Sequence, residues 1–285
     1  MNYRLGLIGS PLSHSLSPRI HTAALKSCSL DGSYSLFSIH SDDQDGLKTL
    51  FNRVREGEIA GLNVTIPHKQ NVIPFLDELT PTAKAIGAVN TVYLRNDKLI
   101  GDNTDAPGFL LDLKRFLTTV PVRDDKTRSH GEFYALVLGA GGSARAVVYA
   151  LVNDGWKVSI TARRIEQACQ LAARFKAVNV VEPDLRTFQP SNLQLIINTT
   201  PLGMTPHIDQ SPWPENIPLP QDAAIYDLVY NPRETNLVRD ACLQGLSGTT
   251  GLGMLIEQAA LSFELWTGHR PPREILYKAV NQTAH

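Results

Sequence analysis

Leu136-Val137-Leu138-Gly139-Ala140-Gly141-Gly142-Ser143-Ala144-Arg145-Ala146 is a short apolar run that passes straight into a glycine turn, and Val147-Val148-Tyr149-Ala150-Leu151 continues it with helical character. The spacing is G-x-G-x-x-A between a predicted strand and a predicted helix. Glycines there let the backbone approach a pyrophosphate, and the helix N-terminus offers N–H groups and the positive end of its dipole. A bare G-x-G says little: with 20 glycines in 285 residues one arises about once by chance. Gly251-Leu252-Gly253 is such a second instance, with no strand signal before it. The strand-turn-helix frame carries the reading, against the alternative of a tight βα turn with no ligand.

Moving outward, the next strand, Val158-Ser159-Ile160-Thr161, ends at Ala162-Arg163-Arg164. This is roughly 20 residues past the first glycine, where NAD-binding proteins place an Asp or Glu for the ribose hydroxyls. Here two arginines stand instead. A guanidinium pairs with the 2′-phosphate of NADP and stacks on adenine, and no carboxylate is present to repel the phosphate. NADP is therefore the expected cofactor, held by Gly139, Ala140, Gly141, Gly142, Ser143 and Ala144, with Arg163 and Arg164 at the phosphate. The bland alternative is two solvated arginines at a helix start.

Similar apolar runs recur at Leu5–Ile8, Tyr34–Ile39, Gly61–Ile66, Leu195–Asn198 and Ala224–Leu228, separated by stretches of helical spacing. Such alternation predicts βαβ units and parallel sheets covered on both faces, an α/β fold. The charged, apolar-poor stretch 120–131 reads as a solvated loop and suggests two sheets, with Phe109–Leu117 already helical before it. Six prolines at 201, 206, 212, 214, 218 and 220 exclude a helix or central strand and predict a surface loop between two strands of the second sheet. The expected organisation is an N-terminal α/β substrate domain over residues 1–106 and a Rossmann-type doubly wound parallel-sheet nucleotide domain over 107–250, followed by helices over 251–285. After Gly253, Leu255, Ala259, Ser262/Phe263 and Trp266 recur at helical spacing.

Composition narrows the partners. Hydrophobic residues make up 42% and charged residues 19%, so the chain can fill ordinary cores and lacks a disordered profile. The net charge of −1 gives no overall field toward nucleic acid or an anionic membrane. Cys28, Cys169 and Cys242 are widely spaced and form no C-x-x-C pair, which supports neither a disulfide framework nor a zinc site and fits a reducing compartment. The glycine-broken N-terminus is too short in apolar length for a signal-peptide core, and no stretch approaches the ~20 apolar residues of a membrane span. A cytoplasmic protein is expected, monomer or homodimer, with small-molecule partners.

Four polar clusters punctuate the N-terminal half. Ser15 and Ser17, in Gly9-Ser10-Pro11-Leu12-Ser13-His14-Ser15-Leu16-Ser17-Pro18, lie near a helix start, where hydroxyls and backbone N–H groups can hold a carboxylate; capping alone explains one serine less easily than both. Asn63 and Thr65 share one face of a predicted strand in Asn63-Val64-Thr65-Ile66-Pro67-His68-Lys69, with Lys69 just past its proline-marked end. Asn90 opens a strand in Gly87–Val92, and Asp105 stands where a helix begins in Gly101–Gly108. Taken singly, Lys69 would be a solvated lysine and Asp105 an N-cap.

In combination, SHSLSP at 13–18, NVTIPHK at 63–69, GAVNT at 87–91, GDNTDAPG at 101–108, GAGGSARA at 139–146, NTTPLGM at 198–204, DLVYNP at 227–232 and GLGMLIEQA at 251–259 closely resemble the shikimate dehydrogenase family. These are enzymes that reduce 3-dehydroshikimate with NADPH in aromatic amino-acid biosynthesis. The resemblance implies that Lys69 and Asp105 form the catalytic pair. It puts Ser15 and Ser17 on the substrate carboxylate with Tyr230 nearby, and it lines the hydroxyl-rich site with Asn63, Thr65, Asn90 and Gln258. On the cofactor side it implies Arg163 at the 2′-phosphate and Thr199, Met204 and Gly253 around the ribose and nicotinamide. Residues from about 251 onward would return to the first domain, since Gln258 must reach the substrate. Two departures stand out. Ala162-Arg163-Arg164 replaces the common Asn-Arg-Thr, and Gln167 replaces an arginine often found a turn later, so a second guanidinium would have to come from Arg164.

One carboxylate and three hydroxyls suit a set of serine, threonine, asparagine and glutamine side chains. A carboxylate beside Lys69 favours its ammonium, while burial favours the neutral amine, and the sequence does not decide between them. The rival enzyme reading is a quinate or dual-specificity dehydrogenase, against which Ser17 argues, because a smaller residue would make room for the extra ring hydroxyl. The rival from another class is a non-catalytic NADP sensor, against which Lys69 and Asp105 argue.

Overall fold

The computed structural model describes residues 2–121, 132–176, 178–185 and 193–281. Most of the expected solvated loop at 120–131 lies outside them. The chain divides into two compact units, Met1–Gly108 with Leu255–His285, and Phe109–Met254.

The first unit is built on β1 (Tyr3–Gly9), β2 (Gly32–Ser38), β3 (Gly61–Val64), β4 (Glu78–Leu79), β5 (Thr91–Arg95) and β6 (Lys98–Asp102), in spatial order β2-β1-β3-β5-β6-β4. The β1 strand is central to a parallel trio, with Leu5 opposite both Tyr34 and Gly61. The sheet is nevertheless mixed, and the expectation of parallel sheets throughout fails here. The β5 strand runs antiparallel to both β3 and β6. The reason is a two-residue hairpin at Asn96-Asp97, whose φ values of 50° and 59° are those of a turn matched to strand twist, and Asn and Asp are the non-glycine residues that tolerate them best. Apolar side chains of α2 (Gln44–Arg55), Leu47, Leu50, Phe51 and Val54, pack with Ile8, Leu62, Val64 and Val92 in one core. Asp43 caps α2 by accepting from the Gly46 N–H at 2.8 Å. The C-terminal helices α8 (Leu252–Thr267) and α9 (Arg273–Asn281) join this unit from Leu255 onward, and the Trp266 indole N–H donates to the Val92 carbonyl at 3.1 Å, which pins α8 against β5.

His21, on α1 (Ser17–Ser27), is fully buried and stacks on Tyr34 with ring centroids 4.4 Å apart. Neither ring nitrogen has a partner in hydrogen-bond geometry among the described residues, although Asn63 lies close enough to favour the protonated ring slightly. Burial dominates and pushes the imidazole down to about 3. The unfolded chain takes up a proton near the ordinary histidine value of 6.5, whereas the folded chain does not. His21 therefore contributes stability that is present above that value and is lost as pH falls toward 3, at up to about 1.4 kcal/mol per pH unit. Melting curves should show this acid limb in the wild type and a shallower one in His21→Phe; superimposable limbs would assign the acid sensitivity elsewhere.

The second unit carries β7 (Tyr134–Leu138), β8 (Lys157–Thr161), β9 (Val178–Val180), β10 (Leu195–Asn198), β11 (Ala224–Asp227) and β12 (Gly248–Thr250), in the order β12-β11-β10-β7-β8-β9. Every pairing is parallel. The chain starts in the middle at β7, winds outward through β8 and β9, then crosses to β10 and winds the other way. This is the doubly wound order, and its switch point lies between β7 and β10, where such sheets hold ligands. Its helices include most of α4 (Asp105–Thr119), with α5 (Gly142–Asn153), α6 (Ile165–Ala172) and α7 (Asn236–Leu243). The proline-rich segment after β10 is the loop leading to β11, as the six prolines predict. No helix among the described residues is long and apolar enough to cross a membrane.

Candidate active site

Lys69 lies beyond the end of β3 and Asp105 opens α4 (Asp105–Thr119); both are buried, and Lys69 Nζ donates to Asp105 Oδ2 at 2.6 Å. Asp105 is not the cap of its helix. That task falls to Asn103, whose Oδ1 accepts from the Ala106 N–H at 3.2 Å, so both oxygens of Asp105 face other groups. The second oxygen, Oδ1, accepts from Asn90 Nδ2 at 2.9 Å. Asn90 also donates to Gln258 Oε1 at 3.3 Å and accepts on Oδ1 from the Thr104 N–H at 2.7 Å, which fixes the orientation of its amide. Four of the expected site residues, Lys69, Asp105, Asn90 and Gln258, thus form one hydrogen-bonded cluster drawn from four separate stretches of chain.

Asn63 connects to the same cluster through hydroxyls. Its Nδ2 donates to Ser262 Oγ at 3.0 Å, and Ser262, on α8 one turn after Gln258, lies within 2.7 Å of Thr91 Oγ1 and 3.0 Å of Thr104 Oγ1. Asn63 Oδ1 accepts from the Tyr34 hydroxyl at 2.8 Å. That proton being committed, the Ser17 hydroxyl bonded to the same phenol donates to it. Burial holds the phenol well above the usual tyrosine range. Ser15 differs from Ser17: its Oγ accepts from the Ser17 N–H at 3.2 Å, a turn that leaves its own hydroxyl proton for another acceptor. Thr65 lies just past the end of β3, half-buried. Sequence reading misses Tyr34, Thr91, Thr104 and Ser262, small or stacking side chains that pass for strand and helix filler.

If Ser15 and Ser17 hold a carboxylate, the Ser17 hydroxyl must turn its proton from Tyr34 to the ligand, and Ser15→Ala and Ser17→Ala should then each weaken binding of the carboxylate ligand by roughly 1–3 kcal/mol, the loss of one donor to a charged partner. Titration calorimetry beside a melting curve checks this. Normal affinity with early melting in both would make the serines turn-formers only.

The cofactor-side residues lie in the unit 109–254. Gly139 has φ +113°, and a Cβ built on it would come within 2.5 Å of Thr199 Oγ1, so Gly139 and Thr199 meet at the ends of β7 and β10. Thr199 is held there by donating to the Leu138 carbonyl at 2.7 Å. At Gly141, the N-cap of α5, no side chain caps the helix and a Cβ would meet nothing within 4 Å. This is the open ground above a helix N-terminus that a phosphate group requires, and the donor set fits a dinucleotide. Arg163 and Arg164 are exposed just past β8, and neither has an ion pair or side-chain hydrogen bond to another described residue. Met204 is exposed, while Tyr230 is half-buried, and its partial removal from water pushes its phenol up. Gly253 packs against the carboxylate of Asp112, which accepts from the Tyr226 hydroxyl at 2.5 Å and from Arg115. Among the described residues no group of three or more His, Cys, Asp or Glu could hold a metal ion.

Family models bracket the chain: a shikimate dehydrogenase substrate binding domain matches residues 7–92, and a shikimate 5'-dehydrogenase C-terminal domain matches 251–280. A shikimate dehydrogenase (NADP(+)) of Carboxydothermus hydrogenoformans is 40% identical, over 96% of this chain and 95% of that protein. The shikimate 5-dehydrogenase of Thermus thermophilus, solved in complex with NADP(H) and shikimate, is similar with a TM-score of 0.83 and 37% identity, covering 97% of this chain and 98% of that one. A quinate dehydrogenase from Corynebacterium glutamicum, solved in complex with NAD, is similar at 30% identity with a TM-score of 0.85, covering 98% of this chain and 99% of that one. With so long and continuous a likeness in sequence, this chain belongs to the shikimate dehydrogenase family.

Proposed function

We propose that this protein catalyses the reversible, NADPH-dependent reduction of 3-dehydroshikimate to shikimate in aromatic amino-acid biosynthesis. The observation that carries the reading is the buried Lys69–Asp105 pair at 2.6 Å, set among neutral amides and hydroxyls, in a chain 40% identical to an NADP-dependent member of the family. The substrate is a carboxylate with ring hydroxyls. Ser15 and Ser17 take the carboxylate with Tyr230, and Asn63, Thr65, Asn90 and Gln258 take the hydroxyls. When bound, NADP would supply the hydride from its nicotinamide; Gly139, Ala140, Gly141, Gly142, Ser143 and Ala144 would hold the pyrophosphate, Arg163 and Arg164 the 2′-phosphate, and Thr199, Met204 and Gly253 the ribose and nicotinamide. Lys69 manages the proton. As an ammonium it polarises the carbonyl and donates to the forming alkoxide, and in the oxidative direction its neutral amine accepts the hydroxyl proton. Asp105, oriented by Asn90, keeps Lys69 aimed and compensates its charge in a site with little water.

The test follows NADPH absorbance with shikimate and with quinate offered separately. Turnover with shikimate and NADP is expected, with quinate slower because Ser17 leaves less room for the extra hydroxyl. The likeness to a quinate dehydrogenase makes the second substrate a necessary arm. No turnover with either would favour a protein that senses NADP without catalysis.

A further inference from the structure

Asp227, the last residue of β11, has no part in the chemistry above, yet its carboxyl is fully buried and grips two loops at once. Oδ1 accepts from Asn198 Nδ2 at 2.8 Å and from the Val229 N–H at 3.0 Å, and Oδ2 accepts from the Thr235 hydroxyl at 2.7 Å. Asn198, the last residue of the neighbouring β10, then organises its own loop. Its Oδ1 accepts from the Thr200 N–H at 2.8 Å and from the Thr200 hydroxyl at 2.7 Å, and its Nδ2 donates to the Leu202 carbonyl at 3.2 Å. One carboxylate at the ends of two adjacent strands therefore sets both the loop from Thr199 to Met204 and the loop that contains Tyr230.

We propose that Asp227 is a positioning residue for cofactor binding, acting through Asn198 and the Val229 amide on the loops that carry Thr199, Met204 and Tyr230. The proposal rests on the reading of residues 109–254 as the NADP-binding unit. Its physical basis is donor counting. An ionised carboxylate accepts from all three donors with charge assistance, whereas a neutral carboxyl or an amide presents a donor at the Oδ2 position, which forces the Thr235 hydroxyl to reverse, and leaves on Oδ1 only neutral, weaker ties to Asn198 and the Val229 amide. The groups that face the carboxyl are neutral: Asn198 from β10, Thr250 at the register position of β12, and Thr235 at the cap of α7. Tyr230, further along its own loop, is kept neutral by burial. With no cation beside it among the described residues, burial pushes the Asp227 carboxyl up to about 6, against the three hydrogen bonds. Folding thus raises its proton affinity, so the folded state holds more protons than the unfolded one below that pH, and stability falls as pH rises through this window. The charged form at neutral pH is a cost to the fold, which an isosteric Asn would avoid.

The experiment measures the Kd for NADP by calorimetry in wild type and Asp227→Asn from pH 8 to pH 5.5. Asp227→Asn is expected to bind NADP about 10-fold more weakly at pH 8, and the ratio should shrink to about 3-fold at pH 5.5, where roughly three-quarters of the wild-type carboxyl is itself protonated. The 2′-phosphate of NADP also titrates near pH 6, but equally for both proteins, so it cancels in the ratio. Melting at pH 8 should be unchanged or higher in the variant. A ratio that stays flat with pH, or a variant that melts early and binds NADP normally, overturns the proposal. Asn198→Ala, which removes the Asp227 contact together with the ties to Thr200 and Leu202 and leaves Val229 and Thr235 on the carboxylate, should also weaken NADP at pH 8, and unchanged affinity there overturns it as well. If the wild type binds and uses NAD alone, the NADP reading fails, and the same pH series with NAD still decides the role of Asp227.

Discussion

Lys69→Ala should lower the turnover number by at least ~10²-fold, the low end of what a positioned acid or base contributes, while the KM for NADP changes much less. The lysine is buried, and its ammonium donates to Asp105 at 2.6 Å, so its removal deletes both the proposed proton donor and the charge that offsets a buried carboxylate. Leaving a buried charge unpaired costs several kcal/mol of stability. Kinetics must therefore be read well below the melting point of the variant. Asp105→Asn separates the two effects, since it keeps the volume and the Asn90 contact side while removing the charge. Its turnover should also fall, and its pH–rate curve should differ from wild type. Near-normal turnover in Lys69→Ala would end the catalytic assignment, and an unaltered pH–rate curve in Asp105→Asn would reduce Asp105 to a packing residue.

Some of this architecture was legible in the amino-acid order and some was not, for physical reasons. The doubly wound sheet announces itself because β7 and α5 flank glycines that the turn requires, with Gly139 at φ +113°. The mixed first sheet does not. Its hairpin turns on Asn96-Asp97, which lacks the glycine that makes Asn-Gly or Asp-Gly a strong signal, and β4 is two residues long, too short for any periodicity. Within the site, Lys69, Asp105, Asn90 and Gln258 are prominent as polar residues where apolar ones would serve. Ser262 is not. On an apolar helix face it reads as a tolerated small residue, and its contact with Asn63 joins positions 199 residues apart. Asn103 shows the converse: a local rule pointed to Asp105 as the cap, and the cap proved to lie two residues earlier, which is what leaves Asp105 available to Lys69.

Two arginines stand where NAD-binding proteins place an acidic residue, and Arg163→Ala should raise the KM for NADP about 10- to 100-fold while leaving NAD nearly unaffected. Arg163 stands two residues past Thr161, the end of β8, exposed and unpaired with any other described residue, so its guanidinium is available to an incoming anion. A charge-assisted guanidinium–phosphate contact is worth about 1.5–3 kcal/mol, and NAD has no phosphate to use it. Arg164 is also exposed and serves as the N-cap of α6, where its backbone is committed to the helix start, and Arg164→Ala should do less. Because both arginines are open to solvent, salt should screen them, and the wild-type preference for NADP should narrow as ionic strength rises past ~0.1 M. Kinetics with both cofactors, in wild type and the two single variants at low and high salt, test each step. Equal losses with NAD and NADP in Arg163→Ala would show that the residue supports the fold of the βα turn and does not read the phosphate.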